Sequence, residues 1–147
     1  MPNTFEIHHR FRIKAPVDTI LEAIGTKDGL NSWWTEDAIA ELKLGAEHTF
    51  YFAEHSIEWK AEVSKLDAAS GFEWTFTQAD EDWTGTKVGF AWEEREGMYH
   101  IHFYHTGWKN PNEHMYITNY CWALYLRLLK RYVERGEVVP YKDRTDY

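Results

Sequence analysis

The stretch from Asn110 to Gly136 constrains the fold most, because its pattern predicts one long, uninterrupted helix. Asn110 suits the N-cap, Pro111 the first helical position and Glu113 the third, and no helix breaker follows before Gly136. A helix of about 24 residues is roughly 36 Å long. One stripe along it is formed by Met115, Asn119, Trp122, Leu126, Leu129 and Val133.

Most of the remaining chain consists of short segments in which apolar and polar residues alternate. Residues 5–14 form one such strand, and others follow between about 38 and 106, divided by the turn signals LGAE, AEHS, DAASG, ADEDWTG and REG. In one of them, Phe72, Trp74 and Phe76 alternate with Glu73, Thr75 and Thr77. This pattern is typical of an antiparallel sheet with one covered face, and the long helix must supply the cover.

After the first strand the spacing becomes helical. APVDTILEAI carries an apolar stripe that ends at Gly25, and Thr26 can cap a second short helix with Leu30, Trp33 and Trp34. The order predicts an α+β fold, in which a curved antiparallel sheet of about six or seven strands grips a long C-terminal helix. For 147 residues we expect a single domain, 1–147, with a core from about 5 to 137 and a short C-terminal tail.

Charge and cysteine content argue against several classes of function. The formal net charge of −8 and a pI near 5.4 oppose a grip on phosphate backbones, so we expect no nucleic-acid partner. Cys121 is the single cysteine, which excludes an intrachain disulfide and a thiolate zinc cluster. Because the sequence has neither an apolar signal segment nor a long apolar run, we expect no membrane span and a cytoplasmic location.

Several motifs, in their order and spacing, resemble the START-like (SRPBCC) superfamily: APVDTILEAI, WW, LGAEHTFYF, HTGW and WALYLRLLKRYVERG. Within it, the chain is similar to the group named for the activator of the heat-shock-protein-ninety ATPase, over about residues 5–137. The resemblance implies the helix-grip fold of the birch-pollen allergen, with an apolar cavity between the sheet and the long helix.

The family name also suggests a role in the stress response. An alternative function is therefore a protein-interaction module that contacts a chaperone. In the eukaryotic activator a separate chaperone-binding domain precedes this domain, whereas the present sequence begins with the START-like part. We therefore rank a chaperone-related interaction module last.

The aromatic content favours ligand binding. Aromatic residues make up 17% of the chain, and each ring must be covered or left exposed. We predict that the cavity binds a small hydrophobic or amphipathic molecule. Its expected lining residues are Trp33, Trp34, Phe50, Phe52, Trp59, Trp74, Phe76, Phe90, Trp92, Ile101, Phe103, His105, Met115, Asn119, Trp122 and Leu126.

Trp33 and Trp34 leave two interpretations open, since neighbouring side chains on a helix point about 100° apart. Either Trp33 is core while Trp34 shields the sheet edge, or one of the rings lines the cavity mouth. Asn119 interrupts the stripe of the long helix and must be paired inside or reach a ligand, which Tyr116 and Tyr120 would help to orient.

His105 is the candidate for acid–base chemistry, because histidine titrates near neutral pH. Its position in the strand alternation (its parity) places it on the same face as the inward apolar residues. It is either a satisfied buried histidine that fixes the following turn or a polar anchor for the ligand. In the alternative of a cyclase- or hydrolase-type enzyme, it would act as acid or base with a carboxylate such as Glu54. Other polar residues with inward parity are His48, Gln78 and Glu94.

His100 and His102 share one strand face, a spacing known from metal sites. Their face should point to solvent, and the chain lacks a cysteine cluster or a recognisable carboxylate partner for them. We therefore expect neither a metal nor a cofactor. Aromatic residues exposed on the sheet edge or a helix would suit a homodimer interface.

Overall fold

A computed structural model describes residues 4–144. The sheet has seven strands, β1 (Phe5–Ile13), β2 (Asp37–Ile39), β3 (Glu47–Phe52), β4 (Ile57–Asp67), β5 (Gly71–Gln78), β6 (Lys87–Arg95) and β7 (Met98–Trp108). The α-helices are α1 (Val17–Gly25), α2 (Lys27–Trp33) and α3 (Glu113–Arg135), and a 3-10 turn, Tyr141–Asp143, follows. The predicted α+β fold, with two short helices after the first strand and a long C-terminal helix, is confirmed.

The sheet is antiparallel throughout, in the order β1-β7-β6-β5-β4-β3-β2. Each strand after β2 pairs with its predecessor in the chain, and only β1 joins from a distance, beside β7. Most apolar strand residues share the buried face, as the alternation predicts, and α1, α2 and α3 cover it; among the large side chains of the described residues, Phe5, Ile39 and Ile57 are the exposed exceptions. Within residues 4–144, none of the helices is long and apolar enough to cross a membrane.

The short helices meet closely at a capped junction. Thr26 Oγ1 accepts a hydrogen bond from Gly29 N at 3.1 Å, which confirms the predicted cap of α2. A Cβ atom on Gly29 would lie 2.1 Å from the carbonyl oxygen of Glu22, so glycine is required for this approach. The junction turns the chain and directs the end of α2, with its two tryptophans, into the interior.

The long helix begins two residues later than predicted. Asn112, not Asn110, is the N-cap, because its Oδ1 accepts from Met115 N at 3.0 Å while its Nδ2 contacts the Asp82 carboxylate. The other end agrees with the prediction: Gly136 has φ 68°, the left-handed conformation that favours glycine.

The stripe predicted for α3 is wrong at Asn119, which is exposed. The buried positions are Thr118, Trp122, Leu126, Leu128, Leu129 and Val133. Asn119 is rotated by about 100° from Thr118, the residue that takes its predicted place, and therefore faces solvent. Tyr116 and Tyr120 are 63% and 69% exposed, so they do not line the interior either.

Candidate functional site

The interior between the sheet and α3 is occupied by aromatic rings packed around Trp34. Its ring centroid lies 5.0 Å from that of Phe50, 5.2 Å from Trp122 and 5.7 Å from Trp74. Trp33 stacks on it at 5.9 Å and donates through Nε1 to the carbonyl oxygen of Ala23 at 2.8 Å. Both rings of the doublet are therefore buried.

The end of α2 explains how two consecutive tryptophans both point inward. Trp33 is the last residue of the helix, whereas Trp34 is the C-cap with φ −127° and ψ −62°. This departure from helical dihedral angles cancels the rotation of about 100° that a continuing helix would impose. Trp34 thus lies at the centre of the interior rather than at a sheet edge.

Trp83 is the interior ring that the strand patterns miss, because it lies in the connection between β5 and β6, within the turn signal ADEDWTG. It is 6% exposed. Its ring centroid lies 4.6 Å from that of His105, 4.8 Å from Trp59 and 5.2 Å from Phe76. Period-two alternation assigns faces only within strands, so only the presence of one tryptophan in an otherwise polar turn could have suggested a buried role.

His105 is fully buried and has both ring nitrogens paired. Trp122 Nε1 donates to His105 Nδ1 at 3.1 Å, and since an indole can only donate, the proton of His105 must sit on Nε2. Nε2 then donates to Thr86 Oγ1 at 2.9 Å, and the Thr86 hydroxyl in turn donates to the Trp83 carbonyl oxygen at 2.6 Å. Burial, with a smaller effect of nearby His114, lowers the pKa of His105 to about 3.

The acid–base pair of His105 with Glu54 is not formed. Glu54 is exposed in the turn between β3 and β4, and His105 is engaged on both nitrogens by other groups. Gln78 and Glu94 are exposed as well, so of the polar residues with inward parity only His48 and His105 are buried.

His48 repeats the arrangement of His105 on β3. Trp74 Nε1 donates to its Nδ1 at 3.0 Å, and its Nε2 donates to the Glu41 carbonyl oxygen at 2.8 Å. Burial lowers the pKa of His48, which keeps the ring neutral. Two Trp–His pairs thus hold indole rings in fixed orientations inside the sheet.

Two indole groups beside His105 have no acceptor among residues 4–144. Trp83 Nε1 and Trp108 Nε1 are buried and make no hydrogen bond to any residue in the described part of the chain. Both rings flank His105, with centroid distances of 4.6 Å and 5.0 Å. A buried donor without a partner is uncommon and costly, so this end of the interior is chemically suited to an acceptor oxygen.

The loop that carries Trp83 is tied to the start of α3. Asp82 Oδ2 lies 2.9 Å from His114 Nδ1 and accepts from Asn112 Nδ2 at 3.3 Å. Asp80 Oδ1 accepts from Trp83 N at 2.9 Å. These contacts are part-buried at most. Polar contacts near the surface therefore hold the Trp83 ring in place in addition to its apolar contacts.

The other predicted lining residues divide into two groups. Those on the buried face of the sheet and α3 are Phe50, Phe52, Trp59, Trp74, Phe76, Phe90, Ile101, Phe103, Met115, Trp122 and Leu126, with Phe52, Trp59 and Met115 only half-buried. Trp92 lies apart from the ring cluster: its Nε1 donates to the Ala68 carbonyl oxygen at 2.9 Å and its ring contacts Tyr99.

The solvent face of the sheet contains a buried carboxylate that the alternation also misses. Glu73 accepts from Tyr104 OH at 2.5 Å and from Ser64 Oγ at 2.7 Å. Burial raises the pKa of this carboxyl, but these hydrogen bonds, together with the charges of Lys65 and Lys87, outweigh it and leave the pKa below its usual value. Gly89 makes the arrangement possible, because a Cβ there would lie 2.3 Å from the Tyr104 hydroxyl.

The histidines of the same face form a pair rather than a cluster. His102 Nε2 lies 2.8 Å from His8 Nδ1, and His8 Nε2 lies 2.8 Å from a Glu6 carboxylate oxygen. Across residues 4–144, no group of three histidine, cysteine, aspartate or glutamate side chains is arranged to hold a metal ion.

Comparison with known proteins identifies the family of this fold. The family described as "Activator of Hsp90 ATPase homolog 1-like protein" matches residues 14–134. The solution structure of the Aha1 dimer from Colwellia psychrerythraea is 31% identical, with 90% of this chain and 98% of that chain covered and a TM-score of 0.78. Comparison with curated protein sequences finds no match.

More distant structures share the fold alone. A protein from Staphylococcus saprophyticus is 16% identical, with 92% of this chain and 96% of that chain covered and a TM-score of 0.74. DynU16, from the dynemicin biosynthetic locus, is 19% identical, with 92% of this chain and 49% of that chain covered and a TM-score of 0.73. On the match over residues 14–134 and the 31% identical relative, the chain belongs to the family of Activator of Hsp90 ATPase homolog 1-like proteins, with the START-like fold.

Proposed function

We propose that the chain binds a small aromatic or amphipathic molecule between the sheet and α3, at the position that the Trp83 ring occupies. The observation that carries the proposal is the pair of buried donors, Trp83 Nε1 and Trp108 Nε1, which make no hydrogen bond to the described residues. A ligand oxygen beside His105 would accept from Trp108 and stabilise a donor that is otherwise buried at a cost.

The packing of Trp83 defines the shape of such a ligand. The ring contacts the rings of Trp59, Phe76 and Trp122, and a molecule that displaces it must restore these contacts. A flat, largely apolar ring system with one acceptor oxygen meets both requirements. Binding would be driven by burial of apolar surface, with the oxygen fixing the orientation.

A loop position makes displacement of Trp83 less costly than displacement of a strand residue. Displacing the backbone of a strand residue would break the ladder. Displacing Trp83 with its loop breaks the contact of Asp82 with His114 and the hydrogen bonds that join Trp83 to Asp80 and Thr86. DynU16, which shares the fold, belongs to a biosynthetic locus, and this is consistent with small-molecule binding by such an interior.

The surroundings of His105 favour binding over acid–base catalysis. Its lone pair on Nδ1 is used by Trp122 and its proton on Nε2 by Thr86, so neither nitrogen is available to a substrate. His105 instead orients the indole and hydroxyl groups around the proposed ligand position.

The proposal is tested by titration with prodan, a neutral fluorescent aromatic ketone. We expect saturable 1:1 binding to the wild-type protein, and we expect Trp108→Phe, which keeps an aromatic ring but removes the N–H donor, to weaken binding about two- to tenfold. Trp83→Ala should tighten binding because it removes the competing ring. Trp92→Ala is the matched control, since Trp92 is equally buried at 6% but lies outside the cluster.

The proposal fails if the wild-type protein does not bind prodan, or if Trp108→Phe leaves the affinity unchanged. An equal increase in prodan affinity for Trp83→Ala and Trp92→Ala would also contradict the proposal, because it would indicate nonspecific binding to a loosened core. Native mass spectrometry of the purified protein, with extraction of any retained molecule, would identify the natural ligand class.

Self-association is a second candidate, favoured by the dimeric relative from C. psychrerythraea. Tyr116 and Tyr120, four residues apart on the solvent side of α3, would give such a dimer an aromatic contact. Sedimentation equilibrium should show a dimer that the double change Tyr116→Ser and Tyr120→Ser converts to a monomer. A wild-type monomer at high concentration would exclude it.

The chaperone contact and the cytoplasmic location stay predictions. A pull-down with the heat-shock-protein-ninety chaperone tests the first, and cell fractionation tests the second.

A further inference from the structure

A groove runs between β1, at the edge of the sheet, and α3. Its volume is about 360 Å³, at the lower end of the range for small-molecule sites. Phe11, Ala123 and Leu126 give it an apolar lining. Ala123 is exposed, and its small side chain leaves space between the helix and the strand.

The rim of this groove is positively charged although the chain has a formal net charge of −8. Arg10, Arg12, Arg127 and Lys130 all line it. Lys130 is engaged, since its Nζ donates to the Glu134 carboxylate at 2.9 Å and to the Arg12 carbonyl oxygen. Glu134 is itself held by Lys14 N at 2.8 Å.

Three of the cations are available to a ligand. Over residues 4–144, the guanidinium groups of Arg10, Arg12 and Arg127 make neither a salt bridge nor a hydrogen bond, and all three residues are exposed. His9, which also lines the groove, has a buried Nε2 atom without a hydrogen-bond partner in the described part of the chain. The groove therefore combines an apolar lining, free cations and an unpaired imidazole nitrogen.

We infer that this groove binds a small alkyl carboxylate, with the alkyl chain along Phe11, Ala123 and Leu126 and the carboxylate at Arg127. A guanidinium pairs with a carboxylate through two parallel hydrogen bonds, which makes arginine the suitable cation here. The cationic rim in an acidic protein favours an anion over a second copy of the chain. The site is independent of the proposed interior site, because it does not require displacement of Trp83.

The experiment is a calorimetric titration of the full chain with three eight-carbon probes that differ only in their head group: octanoate, octanol and octylamine. We expect octanoate to bind 1:1, octanol more weakly and octylamine not at all. Arg127→Gln should weaken the binding of octanoate about two- to fivefold, the range for an exposed ion pair, and leave the affinity for octanol unchanged. Lys43→Gln, which removes an exposed cation near β2 at the other edge of the sheet, is the charge-matched control.

A second variant tests the location. Ala123→Leu fills the groove with a residue that suits a helix, and should abolish octanoate binding without loss of stability. The inference is overturned if octanoate does not bind at millimolar concentration, if octylamine binds equally well, or if Arg127→Gln and Lys43→Gln have equal effects. It is also overturned if Trp83→Ala changes octanoate affinity while Ala123→Leu does not, since octanoate would then occupy the interior.

Discussion

His105 should make the stability of the fold depend on pH in a range where carboxylates contribute little. In the folded state its pKa is lowered to about 3, from an ordinary value of 6.5. Protonation would also place a hydrogen on Nδ1, which faces the N–H donor of Trp122. Because the unfolded chain binds the proton more readily, stability is fully present above pH 6.5 and is lost as the pH falls towards 3.

The size of the loss follows from the two pKa values. Between them, the free energy of unfolding falls by at most about 1.4 kcal/mol per pH unit. From pH 7 to pH 5, His105 alone should lower it by about 2 kcal/mol, and this result is insensitive to the exact folded value because that value lies well below 5. His48, whose pKa is also lowered by burial, acts in the same direction.

The assay is urea denaturation at pH 7, 6 and 5, followed by tryptophan fluorescence. His105→Gln removes the titrating group and should reduce the pH dependence by about 2 kcal/mol over this range, although it lowers stability at every pH. Thr86→Val is the control: it removes the hydrogen-bond partner of Nε2 but keeps the histidine, so the slope should persist. An unchanged free energy from pH 7 to 5, or equal slopes for wild type and His105→Gln, would refute the reasoning.

Two further substitutions test local features of the fold. Gly89→Ala should cost about 1–3 kcal/mol in urea denaturation, because the added methyl group meets the Tyr104 ring; a neutral effect would show that Tyr104 moves away freely. Thr26→Ala should lower stability by about 1 kcal/mol through loss of the α2 cap, whereas Thr26→Ser should be nearly neutral; equal losses in the two variants would locate the effect in the methyl group instead.

The fold was predictable because its signals are local. Alternation within strands defined which face each residue takes, and Thr26 and Gly136 marked helix ends through their own backbone requirements. The N-cap of α3 was misplaced because Pro111 favoured Asn110 as the cap. In the structure Asn112 is the cap, and it also contacts Asp82, thirty residues away in the chain, which local sequence does not reveal.

The candidate site was less predictable, because its composition depends on packing between distant segments. Trp83 enters the interior from a loop, where alternation assigns no face. Glu73 lies on the predicted solvent face but is covered by Tyr104 from β7, over the space that Gly89 leaves. Asn119 and Thr118 are neighbours at the margin of one helical stripe, and the sheet contacts decide which of them is buried.

The hydrogen bonds of the buried indoles explain why the proposed ligand is placed beside His105. Trp33 and Trp92 donate to backbone carbonyl oxygens that are free because they lie in the last turn of α1 and in the β4–β5 turn. Inside the sheet, backbone carbonyls are used by the ladder, so indoles there must find a side-chain acceptor. Histidines supply it for Trp74 and Trp122. Beside His105 no further acceptor is available, because its Nδ1 already accepts from Trp122. The neighbouring indoles of Trp83 and Trp108 have no acceptor among the described residues, and this is the physical reason for proposing an oxygen-bearing ligand at this position.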